Sequence, residues 1–200
     1  MQAIINLHPF HTLHCEWAHK AFPGAKLYGS KRHVSRFPDL PWENELADSA
    51  EMFAIFQDDL KFSVPKGVDF ISANENVHFS SVLAFHMESQ TCHVDDTFLF
   101  VPTPKVAEAL GLKEGVVGLH PTLPLALEPR AGASEEFRTW MKDLVSSWEI
   151  KNLAAAHSGL LLDKDNTGNS MTVRLNDALW AAEPILVAHD AIYGCGKANL

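Results

Sequence analysis

The chain has 200 residues, of which 46% are hydrophobic and 20% charged, so it can bury a sizeable core and lacks the composition of a disordered protein. Its 16 Lys and Arg residues against 25 Asp and Glu residues give a net charge of −9, which argues against nucleic acid as a partner. No uninterrupted apolar run approaches the ~20 residues that a membrane-spanning helix needs, so no membrane partner is expected.

The first fifty residues predict a strand–loop–helix–strand unit followed by a long loop. Residues 1–7 have the composition of a short strand. A helix is predicted over 12–22, where apolar side chains recur every fourth position and a Pro-Gly pair follows. A second short strand is predicted over 25–29, and the proline-broken stretch 36–51 is typical of a surface loop. The apolar stripe of the helix consists of Leu13, Trp17 and Ala21.

The middle of the chain predicts a sheet. Four runs rich in β-branched and aromatic residues are separated by Pro, Gly and Asn, which is typical of adjacent strands. These runs are 60–64, 68–72, 81–87 and 91–100. A short helix is expected to begin at Thr103 and to end at Gly111.

The C-terminal half predicts helices around one more strand. The stretch 112–133 is rich in Pro and Gly and should be mostly loop. Ser134 is expected to cap a helix, and a further helix is expected over about 171–182, with a strand over 153–159 between them. The apolar positions of the two helices are Phe137, Trp140, Met141, Leu144, Val145 and Trp148 in the first, and Val173, Leu175, Ala178 and Leu179 in the second. This order predicts a single α/β domain over 1–200, with 185–200 as a candidate tail.

Histidine, and not cysteine, is the unusual residue of this chain. The three cysteines Cys15, Cys92 and Cys195 form no CxxC pair, and the start of the sequence has no secretory-signal pattern, so we expect a reducing, cytoplasmic setting. Eleven histidines are present, and the segment HPFHTLH spaces His8, His11 and His14 by three residues where a strand runs into a helix. Imidazole is a common zinc ligand, so this cluster is a candidate metal site. The alternative is a surface cluster that holds no metal.

Further histidines and carboxylates stand at the ends of predicted strands. His78 precedes the strand at 81–87, Asp95 and Asp96 close the strand TCHV within the run 91–100, and His157 closes the strand at 153–159. Ligand sites in layered α/β folds gather at strand ends, where distant parts of the chain converge. The alternative for the two aspartates is a turn that satisfies backbone donors.

The order of these motifs resembles the metallo-β-lactamase-fold superfamily, in one of its divergent branches. The resemblance covers about residues 6–182 and rests on NLHPFH in place of HxHxDH, AFPGAKLYG after the first helix, His78 in NVHFSSVLAFHM, Asp96 in VDDTFLF and His157 in AAAHSG. It implies an αββα sandwich and a metal site of His8, His11, His78, Asp96 and His157, with Asp96 as the catalytic carboxylate. The implied cofactor is zinc, as one or two ions, with iron or manganese as alternatives, and the implied substrate is a small molecule of unknown identity.

The sequence departs from the family pattern at two places. Asn6 stands where the family has its first His, and Phe10 stands where it has the Asp that helps to hold a second metal. A single metal is therefore expected more than a pair. Only about six residues precede the motif, where the family usually has several strands. We therefore expect a reduced N-terminal sheet, a partner chain that covers the gap, or a shortened form of a longer protein. An uncovered sheet edge would favour a homodimer.

The other polar residues receive smaller roles in this interpretation. His19 is expected on the outer side of the first helix, His33 in solvent, and His86 and His93 as a cross-strand pair. Asp95 is expected to orient a ligand histidine. His189 with Asp190 is the rival to His157.

Three functions remain open from the sequence. The first is a metal-dependent hydrolase with a degenerate site that activates water. The second is a scaffold that keeps the fold, has lost the metal and serves in binding or oligomerisation. The third is a metal sensor or store that uses the N-terminal histidines alone.

Overall fold

A computed structural model of the chain describes residues 1–109, 115–165 and 168–194. It is mixed α/β, as the sequence predicts. The strands are β1 (Ala3–Ile5), β2 (Lys26–Tyr28), β3 (Leu60–Ser63), β4 (Leu83–His86), β5 (Thr91–Asp95), β6 (Phe98–Val101), β7 (Val116–Leu119), β8 (Asn152–Ala155) and β9 (Gly159–Leu161). The helices are α1 (Cys15–Ala21), α2 (Lys31–Arg36), α3 (Ala50–Ile55), α4 (Lys105–Ala109), α5 (Leu123–Ala126), α6 (Ala133–Ser147) and α7 (Met171–His189), and a π-helical turn follows at Asp190–Gly194. No helix in these ranges has the length and apolarity to cross a bilayer.

The largest sheet has five strands in the order β3-β4-β5-β8-β9. Its central pair, β5 and β8, is parallel, and the other pairs are antiparallel. Parallel strands end at the same edge of a sheet, and here Asp95 is paired with Ala155. The residues that follow these two strands, Asp96 and His157, are thereby brought to one edge.

Two smaller sheets complete the β-structure of the described residues. Strands β1 and β2 form a parallel pair connected through α1, and β6 and β7 form an antiparallel hairpin. The short parallel pair has its own small core around Tyr28, Ala47 and Met52. The loop that leaves β1 carries His8 and His11, so this pair sets where those two histidines lie.

The main core lies between the large sheet and helices α6 and α7. The predicted apolar face of α6 is confirmed, because Phe137, Trp140, Met141 and Leu144 are all buried. Trp148 stacks on Phe85 of β4 with ring centroids 5.4 Å apart. This packing fixes the sheet on one side and leaves the strand ends free to carry polar residues.

The apolar stripe predicted for the first helix is wrong. The helix begins only at Cys15, which is its buried residue, while Leu13 is 86% exposed and Trp17 is 65% exposed. The sequence period places these residues on one face, but that face points away from the core. The second helix of this region, α2, had no predicted counterpart; it begins with a capping box between Ser30 and His33 and ends where the predicted loop 36–51 begins.

Several predicted boundaries also differ from the structure. Residues 68–72 form no strand, and only Val68 makes an isolated bridge, to Leu127. The run 91–100 is two strands, because the backbone at Asp95 has a φ of 45° and leaves the extended conformation. The stretch 112–133 contains β7 and α5, while Gly111 and 112–114 lie outside the described residues.

The ends predicted for the two long helices, α6 and α7, also differ from the structure. Gly132, and not Ser134, is the N-cap of α6, and the buried Ser134 hydroxyl donates to Asp190. Helix α7 continues well past residue 182 and buries Leu186, so the first part of the candidate tail 185–200 packs on the core; 195–200, with Cys195, lie outside the described residues. Val173, which was expected in the core, is exposed.

Three Gly→Ala substitutions test how the loop after β3, which carries Gly67, packs on the start of α6. Gly67 has a φ of 71°, and a Cβ there would collide with the carbonyl of Ala133. We expect Gly67→Ala to lower the free energy of unfolding by more than about 3 kcal/mol, because backbone strain adds to the clash. Gly132→Ala meets no atom but also has a positive φ, so about 1–2 kcal/mol is expected. Gly24→Ala should be close to neutral, and equal losses for all three in urea unfolding would contradict this packing.

Candidate metal centre

Four side chains from distant parts of the chain converge at the strand-end edge of the large sheet. His8, His11 and Asp96 each offer one ligand atom, and these atoms lie within 4.8 Å of one another, so the three can hold a metal ion. His157 Nε2 lies 3.2 Å from His11 Nε2 and 3.3 Å from Asp96 Oδ1. The histidines come from the loop after β1 and the turn after β8, and Asp96 follows β5.

Backbone hydrogen bonds hold the loop that carries His8 and His11. Asn6 N donates to Tyr28 O at 2.9 Å, which extends the pairing of β1 with β2, and Val82 N donates to Leu7 O at 2.9 Å on the other side. His11 N donates to His8 O at 3.1 Å, so the loop turns back and places both rings side by side. The two rings stack with centroids 4.1 Å apart.

The two adjacent aspartates both face His11 because the strand ends in a tight turn. Thr97 N donates to Val94 O at 3.0 Å, and Asp95 within this turn has a left-handed φ of 45°. Successive side chains of a strand point to opposite faces, and the turn breaks this alternation. His11 Nδ1 lies 2.9 Å from Asp95 Oδ1, and His11 Nε2 lies 3.2 Å from Asp96 Oδ2. Aspartate tolerates the left-handed region better than most residues, which explains its presence here.

The charges of this cluster are strongly coupled. Contacts with Asp95 and Asp96 raise the pKa of His11 to about 10. Burial favours the neutral carboxyl at Asp95 and Asp96, but His11 and the neighbouring histidines outweigh it, so the pKa of each falls below its ordinary value. Burial lowers the pKa of His8 to about 4. With no metal bound, the cluster holds two carboxylates, a cationic His11 and a neutral His8 near pH 7.

The ring nitrogen of His8 that carries the hydrogen decides whether this residue can bind a metal. Phe10 N donates to His8 Nδ1 at 3.1 Å, so the neutral ring carries its hydrogen on Nε2, which lies 3.5 Å from Asp96 Oδ2. His8 becomes a ligand through Nε2 only when the Phe10 amide releases Nδ1. Asp95 beside His11 Nδ1 has the opposite effect, because it keeps the hydrogen on Nδ1 and leaves Nε2 for a metal.

Two features of the site suit a small cation: the distances between the ligand atoms, and the buried polar atoms that lack a hydrogen-bond partner. Tetrahedral zinc with bonds of about 2.0–2.1 Å sets its ligand atoms about 3.3 Å apart, and the four contacts among these side chains run from 3.2 to 3.5 Å. Two buried atoms of the site, His8 Nε2 and Asp96 Oδ1, make no hydrogen bond of good geometry. Buried polar atoms without partners are costly, and a cation at their centre would satisfy them.

A cleft of about 560 Å³ opens beside the cluster. Its lining residues include Asp96 and His157 of the cluster, together with His78, Leu99 and His120. The side chain of His157 is 64% exposed, so the cluster is open to a ligand on this side. A second groove, of about 680 Å³, also reaches His11 and His157.

His78 lies in the wall of the cleft and outside the group of His8, His11 and Asp96. Its Nε2 donates to the carbonyl of Glu75 at 2.7 Å, and its ring stacks on Phe10 with centroids 4.9 Å apart. The guanidinium of Arg32 lies 4.5 Å from the centre of the Phe10 ring and pairs with Glu75 at 2.9 Å. Phe10 is thus packed between an imidazole and a cation.

The remaining histidine predictions have mixed outcomes. His14 is exposed at the start of α1 and takes no part in the three-residue group. His189 Nε2 donates to the carbonyl of Glu128 at 2.9 Å, and Asp190 pairs with Arg138 on α6, so this rival to His157 belongs to another part of the core. The cross-strand pair of His86 and His93 is wrong, because the register pairs them with Thr91 and Ala84 respectively.

Two histidines near the site, His33 and His120, have surroundings that the sequence did not predict. His33 was expected in solvent but is fully buried; its Nδ1 binds Ser30 and its Nε2 donates to the carbonyl of His11 at 3.4 Å. The Ser30-x-x-His33 spacing of a helix start was the signal for this capping arrangement. His120 was expected in a loop without a role, yet it lines the cleft. Burial lowers its pKa while nearby Asp96 opposes this.

Comparison with protein-family models, with curated protein sequences and with solved structures finds no match for this chain. The functional argument therefore rests on the geometry of the site.

The buried His33 predicts a pH-dependent stability. Burial lowers its pKa to about 4 in the folded protein, against an ordinary value of 6.5, so folding keeps it neutral. Its contribution to stability is full above pH 6.5 and is lost between pH 6.5 and 4, at no more than about 1.4 kcal/mol per pH unit. We expect His33→Gln, which keeps a side chain suited to the capping position, to flatten the slope of unfolding free energy in this window. Equal slopes for both proteins would contradict the buried neutral state.

Proposed function

We propose that this chain is a metal-dependent hydrolase of the metallo-β-lactamase type that holds one divalent ion. The observation that carries the proposal is the convergence of His8, His11, Asp96 and His157 at spacings suited to a single ion. The two-stranded β1–β2 sheet agrees with a sandwich whose N-terminal sheet is reduced. A homodimer through an uncovered sheet edge remains a prediction.

The donor set favours zinc, with iron and manganese as alternatives. Imidazole nitrogens with one carboxylate oxygen are the usual zinc ligands of catalytic sites, whereas harder ions prefer sites built of oxygen. His11, His157 and Asp96 bring their ligand atoms to one place, and His11 must lose the proton on Nε2 before it can bind the ion. His8 joins them when the amide of Phe10 releases its Nδ1.

Each side chain of the site has its own role in the proposed hydrolysis. A bound zinc ion lowers the pKa of its water toward about 7 and polarises a carbonyl or phosphoryl oxygen. Asp95 orients His11 through Nδ1 and so keeps Nε2 toward the ion. Asp96 would contribute negative charge to the ion, since its Oδ2 lies beside His8 and His11 and its Oδ1 lies beside His157. The exposed His157 marks the side from which substrate enters.

Phe10 supports a site for one ion and not two. Its ring covers His78 on one face and carries the Arg32 guanidinium on the other. A second cation beside His78 would meet an aromatic ring in place of a carboxylate and the positive charge of Arg32. Both features oppose a dinuclear centre.

A scaffold without metal is the second candidate. The exposed apolar side chains of Leu13, which lines a groove with His11 and His157, and of Trp17 favour it, because such residues often mark a contact with another protein. The third function, a sensor that uses the N-terminal histidines alone, is less well supported, since Asp96 and His157 belong to the same cluster.

Metal analysis of variants tests the proposal directly. We expect the wild-type protein, purified without chelator and supplied with zinc, to hold about one equivalent, and His11→Ala, His157→Ala and Asp96→Asn to hold less than about 0.3, because each loses a ligand atom. His78→Ala should keep the metal, since its Nε2 is bonded to Glu75, and His86→Ala on β4 is the matched surface control. A wild-type protein without zinc, iron or manganese would overturn the hydrolase and favour the scaffold.

The number of ions tests the role of Phe10. Titration of the wild-type protein with excess zinc should saturate at one tight equivalent. The double variant Phe10→Asp with Arg32→Ala supplies a carboxylate and removes the opposing charge, so a second equivalent is expected to bind. Two tight ions in the wild-type protein, measured by equilibrium dialysis, would contradict the exclusion.

A further inference from the structure

His120 lines the same cleft as Asp96 and His157, and the proposed function gives it no role. The β6–β7 hairpin pairs Phe98 with Leu119, so the next position outward sets His120 beside Thr97. His120 N donates to Thr97 O at 3.2 Å, which extends the hairpin by one step. His120 is therefore anchored next to the residue that follows Asp96, and it lines the same cleft as Asp96 and His157.

The hydrogen bonds of the His120 ring fix where its hydrogen lies. Thr122 N donates to His120 Nδ1 at 3.3 Å, and the Thr122 hydroxyl lies 2.7 Å from the same nitrogen. An imidazole that accepts at Nδ1 carries its hydrogen on Nε2. Among the described residues no partner is found for this Nε2–H, so it is available to a ligand in the cleft.

This arrangement makes His120 a donor and not a metal ligand. In the metal centre, Asp95 holds a hydrogen on His11 Nδ1, so Nε2 is the nitrogen that would lose its proton and bind a metal. His120 has the opposite tautomer and presents N–H. Leu99 supplies an apolar neighbour in the same cleft, so a polar group that enters there has His120 as a neutral hydrogen-bond donor.

We propose that His120 Nε2–H binds the oxygen of a substrate carbonyl or phosphoryl group at the metal centre. The cleft then selects substrates that present such an acceptor, namely esters, amides, thioesters or phosphoesters. A donor fixed in place before the reaction stabilises negative charge as it develops on that oxygen, which makes His120 a catalytic residue. This assignment rests on the proposed metal-dependent function.

Binding of two small probes to the zinc-loaded protein tests the assignment without a known substrate. Acetohydroxamate chelates zinc through its carbonyl and hydroxamate oxygens, and the bound carbonyl oxygen can still accept a hydrogen bond, whereas ethanethiol binds zinc through sulfur, a weak hydrogen-bond acceptor. We expect His120→Ala to weaken acetohydroxamate binding roughly five- to tenfold, the loss of one hydrogen bond, and to leave the thiol within about twofold. His120→Gln, which keeps an N–H donor, should restore part of the affinity, and His86→Ala is the matched control.

Calorimetry, zinc analysis and a melting curve for each variant separate the outcomes. Equal acetohydroxamate affinity in the wild type and in His120→Ala would overturn the role of His120 while leaving the metal site intact. Equal loss of both probes together with zinc would show that His120 supports the metal site, and would also overturn the proposal. A wild-type protein that holds no metal would overturn the proposed function and this assignment with it.

Discussion

The contact of one imidazole with two successive carboxylates is the interaction on which the candidate site depends. Asp95 meets His11 at Nδ1 and Asp96 meets it at Nε2, because the left-handed backbone at Asp95 turns both side chains to the same side. A regular strand would have sent one of them to the opposite face of the sheet. The same turn directs Asp96 toward His8 and His157, so one backbone feature assembles residues from three parts of the chain.

This arrangement is costly without a cation and stable with one. Two buried carboxylates on adjacent residues repel each other, and a non-glycine residue with positive φ stores strain of roughly 1–3 kcal/mol. Without metal, the positive charge that balances them is the second proton of His11. A divalent ion supplies more positive charge at the same place and leaves His11 neutral, so metal binding and loss of that proton are linked. Strain and unsatisfied polar atoms at one point are typical of functional sites.

The sequence predicted the elements that repeat a strong pattern and missed those that depend on tertiary context. The α6 face was predictable because its apolar residues recur at helical spacing, and β8 because it is a short apolar run before a turn. The stripe of α1 follows the same rule, yet Leu13 and Trp17 are exposed, because periodicity gives a face but not its direction. The end of the strand at Asp95 and Asp96 was predicted, but the left-handed backbone of Asp95 was not, because the sequence pattern does not specify the φ of one residue.

The candidate site shows the same limit. His8, His11, Asp96 and His157 could be selected from their positions at strand ends, and the structure brings them together. His78 has the same kind of position, but its hydrogen bond to Glu75 and its stacking on Phe10 hold it in the wall. His33 and His120 act through partners 22 and two residues away, and only the folded chain shows which backbone groups those rings meet.

Zinc X-ray absorption on the protein loaded with one equivalent tests the central claim most directly. The account predicts about four nitrogen and oxygen ligands near 2.0–2.1 Å, an outer-shell pattern from at least two imidazoles, and no neighbouring metal. The Asp96→Asn protein, measured in parallel, should lose this pattern. A spectrum of hydrated zinc without imidazole ligands in the wild-type protein would contradict the account, because the converging side chains would then not bind the ion.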